Sequence, residues 1–160
     1  MPFPTATDID TLIEKLETTP QRYAELLRGR PESQLASRSN PESWSPREIL
    51  AHVRAGDDLL TGRIYVLLVR ENPPFLEVNE RRWDEIAGYV EYPLDLLLDS
   101  YTLRRKELVL MLRRIGPADW KRTGEHAKRG RMTVYTIAKH ISDHELEHLA
   151  QLKAALGDAA

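Results

Sequence analysis

Residues 144–148 read His-Glu-Leu-Glu-His, and a further histidine, His52, lies far upstream just after a sharply marked helix start. Two imidazoles at positions i and i+4 of a helix project side by side, one turn apart, close enough to ligate one ion. A third imidazole from a facing helix would complete one face of a coordination sphere and leave other positions open. Nitrogen donors suit zinc, nickel, iron or copper, and the affinity order of divalent metals does not choose among them. Setting His144 at zero and advancing about 100° per residue places His148 at about 40°, Ile137 at about 20° and Ile141 at about 60°. On this scale both histidines sit in the core-facing stripe, as leucines would. His52 falls about 60° from Ile49 and about 40° from Gly56, so it too is expected to look inward. Gly56 would leave room beside the imidazole, although packing explains that glycine equally well. The bland reading is a set of hydrogen-bonded core histidines. Burying several neutral imidazoles without partners costs about 1–3 kcal/mol each, so a shared ion is the favoured account. His140, about 40° before His144, is expected to support the ligands from behind, with a fourth-ligand or a surface role as alternatives. His126 falls in an expected loop and receives no role.

The same five residues match the metalloprotease signature, in which two histidines hold zinc and the glutamate activates water. That chemistry needs a third ligand, usually downstream, and Asp158 is the only acidic or histidine side chain after His148. It also uses an edge strand beside the cleft, and no strand signal is evident. Glu145 lies about 100° from His144, toward the margin of the core face, and reads as a surface or supporting residue. Glu145-x-x-His148 also has the spacing of di-iron bundles, but the second copy and the inward glutamates that such a site requires are missing.

The elements that must position these side chains are helical. Asp8 is a plausible N-cap for a first amphipathic segment, which Pro20 is expected to interrupt or kink. Its stripe resumes through Tyr23, Leu26 and Leu27 to Gly29 and Pro31. Ser45-Pro46-Arg47-Glu48 combines an N-cap serine, proline at the first helical position and glutamate at the third, the sharpest helix start in the chain. That helix runs about 25 residues to Asn72-Pro73-Pro74. Val78, Trp83 and Ile86 suggest a short extra helix over one end of the bundle. Pro93 opens a third long helix closed by Gly116-Pro117, and Thr133 can cap a fourth that ends at about Leu156, with Gly157 as terminator. The expected fold is all-α, a single domain over residues 1–160. A four-helix up-and-down bundle is the simplest architecture, with one crossover connection left open.

Composition narrows the function classes. The net charge is −2, with 30% charged and 41% hydrophobic residues, a balance that suits a globular domain. The basic cluster between Lys121 and Arg131 is interrupted by Gly124, Glu125 and Gly130 and reads as a solvated loop, so nucleic acid is not an expected partner. There is no cysteine, which excludes disulfides, thiolate ligands and a cysteine nucleophile. No basic and apolar leader and no membrane span is expected, and cytoplasmic residence follows as the default.

Trp44-Ser45-Pro46-Arg47-Glu48-Ile49-Leu50-Ala51-His52, followed by His140 through Leu152, resembles the DinB/YfiT-like superfamily across nearly the whole domain. The resemblance implies a homodimeric four-helix bundle in which His52, His144 and His148 hold one divalent ion, nickel or zinc foremost, with iron or manganese open. It also implies, for some members, a transferase or isomerase reaction that uses an external thiol such as bacillithiol or mycothiol. The leading expectation is therefore a metal-dependent thiol S-transferase, or a related transferase or hydrolase acting on a small electrophile. Arg63 could face the same cavity and orient an anionic substrate, although a snorkelling or salt-bridged arginine is the plainer reading. The competing expectation is a noncatalytic stress-response module that the ion merely stabilises.

Overall fold

The computed structural model describes residues 3–157. Four long helices form it: α1 (Ala6–Leu27), α3 (Pro46–Val69), α5 (Leu94–Arg114) and α6 (Val134–Leu156). The short helices α2 (Glu32–Leu35) and α4 (Glu80–Ala87) and three short strands fill the connections. Asp158, weighed above as a downstream ligand, lies outside the described residues.

Helix starts follow local chemistry closely. Ser45 caps α3 as expected, with Glu48 N donating to Ser45 Oγ at 3.3 Å and Ser45 N donating to Glu48 Oε2 at 2.8 Å. Thr133 caps α6, and Gly157 ends it at φ +73°, the left-handed conformation that favours glycine. At α1 the expectation needs correcting: Thr5 is the N-cap and Asp8 the third helical residue, completing a capping box. Pro20 does not break that helix either. It cannot donate the one bond that would reach back to Leu16, while Thr18 and Thr19 turn their hydroxyls onto carbonyls of the preceding turn.

α3 packs against α5 and α6, and α1 against the same two helices, so α1 and α3 sit across a diagonal. One apolar cluster joins the starts of α1 and α6 to the ends of α3 and α5, with Leu16, Ile137, Leu67 and Leu112 among its members. A second joins the opposite ends, through Leu27, Leu152, Ile49 and Leu97. The helices therefore run up, down, down, up, and the α3–α5 connection is the crossover that the sequence left open. Residues 70–93 make it, carrying β1 (Pro74–Phe75) and α4 on the way.

The small sheet was not expected. β1 pairs in parallel with β2 (Thr123–His126), which pairs antiparallel with β3 (Gly130–Thr133). The segment from Lys121 to Arg131 is thus largely a hairpin rather than a solvated loop. Strands of two to four residues are too short to show alternation. Gly124 is required at their centre, because a Cβ there would lie 2.7 Å from the Pro73 carbonyl oxygen and 2.8 Å from Leu67. This packing pins the hairpin to the end of α3.

Among the described residues no helix is long and apolar enough to cross a membrane.

Candidate metal centre

The antiparallel contact of α3 with α6 brings the three histidines together. His52 Nε2 lies 3.1 Å from His144 Nε2, which lies 3.1 Å from His148 Nε2. One ligand atom from each falls within 4.8 Å of the others. Nitrogens about 2.0–2.1 Å from a shared ion sit about 3.3 Å apart at tetrahedral angles, which this spacing approaches.

The outward nitrogens of two of the three rings, His52 and His148, are held as ligating imidazoles require. His52 Nδ1 donates to Asp84 Oδ2 at 2.8 Å, and His148 Nδ1 donates to Gln151 Oε1 at 2.8 Å. A carboxylate only accepts, so His52 carries its proton on Nδ1 and presents a lone pair at Nε2; the Gln151 oxygen does the same for His148. Burial, and then the neighbouring histidines His148 and His52, push His144 down to about 3, so its ring is neutral near pH 7. With the Nε2 atoms of His52 and His148 both presenting lone pairs, a neutral His144 has one proton at most to share between them. At least one close nitrogen pair then has no hydrogen between its members, a poor polar network and a good cation site. Trp44 walls the group, stacked on His148 at 5.7 Å and edge-on to His52 at 4.6 Å between ring centroids.

All three rings are half-buried. The true centre of the α6 stripe runs through Ile141, Glu145, Leu149 and Leu152, and His144 and His148 occupy its flank toward α3. This corrects the expectation that they replace core leucines. The flank position leaves open space on both sides of the His52–Asp84 pair. A groove of about 760 Å³ is lined by Trp44, His52, Asp84 and neighbours, and a smaller cavity of about 110 Å³ by His52, His140, His144 and Arg129. Gly56 belongs to that cavity, yet a Cβ on it would already meet the His144 ring at 3.4 Å.

Other histidines have defined places. His140 Nε2 accepts from Arg129 Nη1 at 3.0 Å, and its ring centroid stands 6.1 Å from that of His144. That bond occupies its cavity-side lone pair, so it borders the triad without joining it. His126 is buried at the end of β2, where Nδ1 accepts the backbone N–H groups of Lys128 and Arg129 and holds the hairpin turn. Arg63 does not line the cavity. Its guanidinium lies 5.8 Å from the Phe75 ring and donates to the Leu76 carbonyl.

Glu145 is the clearest correction. It is 1% exposed and forms an ion pair with Arg105 of α5, which also bonds Asp57 Oδ1 of α3 at 2.9 Å. Burial and the nearby Asp57 push the Glu145 carboxyl up to about 7 against the pull of Arg105. Its carboxylate faces the bundle interior, so the metalloprotease role for this glutamate is structurally excluded. Tyr23 of α1 donates to the Glu145 backbone carbonyl at 2.8 Å, so all four long helices meet in this polar layer. Arg105 and Asp57 were missed in the sequence, although each interrupts a leucine-rich stripe at helical spacing: Leu98, Tyr101, Leu108 and Leu112 around Arg105, and Val53, Leu60 and Ile64 around Asp57. Asp84 was missed because α4 is short and nothing local ties it to α3.

The profile of the DinB superfamily matches residues 15–152. A relative from Bacillus mycoides, provisionally named a metal-dependent hydrolase, is 23% identical over 144 residues, covering 90% of this chain and 83% of its own. One from Halalkalibacterium halodurans with the same provisional name is 24% identical over 151 residues, covering 93% and 86%. The solved structure of YfiT from Bacillus subtilis, described as a probable metal-dependent hydrolase with an unusual four-helix bundle topology, aligns with TM-score 0.84 at 18% identity. That alignment covers 99% of this chain and 93% of the other. With the profile spanning most of its length and the same bundle in a solved neighbour, the chain belongs to the DinB superfamily.

Proposed function

We propose that this chain is a metal-dependent enzyme in which His52, His144 and His148 hold one divalent ion, nickel or zinc foremost, beside an open substrate groove. The observation that carries this reading is the convergence of three Nε2 atoms, with the opposite nitrogens of His52 and His148 tied to Asp84 and Gln151. The provisional names of the relatives support the same class of activity. A divalent ion bound there supplies Lewis acidity that activates water or an external thiol toward a small electrophile. The protein's own share is positioning. Asp84 fixes the His52 ring and its tautomer, Trp44 shields the ring faces, and the groove is of a size that suits a small molecule. Hydrolysis and thiol transfer use the same three donors and differ only in the nucleophile admitted.

Two variants test this. Asp84→Asn keeps the shape of the contact but no longer supplies a carboxylate, and its metal affinity is expected to fall about 10–100-fold in a zinc competition titration. Asp84 sits on the peripheral α4, so the melting temperature of the metal-free protein should barely move. His52→Ala should abolish turnover of activated esters or thiol conjugation to a model electrophile while leaving the fold intact by circular dichroism. Turnover that survives His52→Ala at the wild-type rate would overturn the proposal.

A further inference from the structure

The small cavity beside the triad carries a charge arrangement that the histidines alone do not explain. Arg129 reaches it from the β2–β3 turn, which His126 fixes by accepting the Lys128 and Arg129 backbone N–H groups at 3.1 and 3.3 Å. Its Nη1 donates to His140 Nε2 at 3.0 Å. A guanidinium only donates, so this contact orients the His140 ring and aims the arginine at the cavity. The nearest carboxylate to Arg129 is Glu80 at 3.8 Å, a half-exposed and loose pairing. Arg63 is buried nearby and makes no ion pair among the described residues. Burial, and then the charge of Arg129, lower its pKa. Lys128 is taken up by Glu77. Arg129, with only this loose carboxylate partner, therefore lines a cavity of about 110 Å³ that also touches His52 and His144, and Arg63 stands behind it without lining the cavity. The Arg129 guanidinium has five N–H donors, of which the His140 contact uses one, so it can offer charged hydrogen bonds to an anion entering the cavity.

We infer that this cavity receives a compact oxyanion group of the substrate, a carboxylate or a phosphate, with Arg129 as the recognition cation and His140 as its positioning residue. The inference builds on the proposed function, because it places the anionic group next to the histidine centre. The substrate class that follows is a small acid or phosphate ester whose reactive atom lies close to its charge. Arg63 acts at longer range, raising the local potential without touching the ligand.

The test is a titration of acetate and, separately, inorganic phosphate into the zinc-free and zinc-loaded protein, following the Arg129 Nε–H and His140 ring resonances by NMR. Saturable shifts at both residues are expected in both forms. Arg129→Met should weaken binding about tenfold or more, the loss typical of a charged hydrogen bond. Arg131→Met, which removes an exposed arginine paired with Glu125, should leave it unchanged. Preference for acetate supports the inference with an organic acid as substrate, and preference for phosphate supports it with a phosphate ester. No saturable shift, or equal affinity in Arg129→Met, overturns it. Arg129-dependent binding in protein whose triad takes up no zinc would sustain the cavity and defeat the metal reading. Binding that requires zinc and ignores Arg129 would do the reverse.

Discussion

His144→Ala is expected to reduce the metal content from about one ion per chain to almost none in protein purified without a histidine tag, as read by elemental analysis. His144 is the middle donor, 3.1 Å from each of the other two Nε2 atoms, so its removal leaves two nitrogens without the atom that joins them. Losing a residue that merely orients a ligand typically costs 10–100-fold in affinity, so losing this donor should cost more than about a hundredfold. The fold should survive, because His144 is half-buried on the flank of α6 and the core stripe beside it is intact. Zinc at about a hundred times its dissociation constant should stabilise the wild type by about 2.7 kcal/mol. For a chain of this size that is a rise of about 5–10 °C in melting temperature. The same zinc should move the variant little.

The second large effect concerns stability rather than the site. Arg105→Met should destabilise the protein by about 3–5 kcal/mol, because Glu145 and Asp57 would be left in the bundle interior without their cation. In thermal melts followed by circular dichroism this corresponds to a fall of about 6–20 °C. Burial opposes the charge on Arg105, and the two carboxylates outweigh it, so the guanidinium stays firmly protonated in the folded state. Replacing the whole layer, with Arg105→Met, Asp57→Leu and Glu145→Met together, should cost far less than the single change, since no unpaired charge would remain. A single variant that melts within about a degree of wild type would mean that water reaches this layer and screens it. Glu145 neighbours His144 in the chain, so the ion pair that fixes Glu145 also fixes the rotation of α6 that points His144 at His52.

What the sequence made legible follows from local chemistry. Ser45 with Glu48, and Thr133 before the last helix, announce their caps within four residues, and Gly157 announces its stop. The two imidazoles one turn apart declare themselves by spacing, and His52 by its place after the capped start. What stayed hidden depends on partners distant in the chain. Glu145 looked marginal because angles were measured from His144, which itself stands at the edge of the buried face. Arg105 and Asp57 break apolar stripes, a visible signal whose meaning emerges only when three helices bring the charges together. Asp84 and Arg129 reach the site from a two-turn helix and a hairpin turn, whose strands are too short to leave a periodic trace. The up, down, down, up order likewise depends on how residues 70–93 are laid along the bundle, which no local pattern encodes.

X-ray absorption at the metal edge of the untagged protein tests the central claim most directly. Three imidazole nitrogens at about 2.0–2.1 Å, with the remaining positions filled by light exchangeable atoms, are expected. A protein that binds no ion, or one whose bound ion has no imidazole around it, would contradict the assignment of His52, His144 and His148.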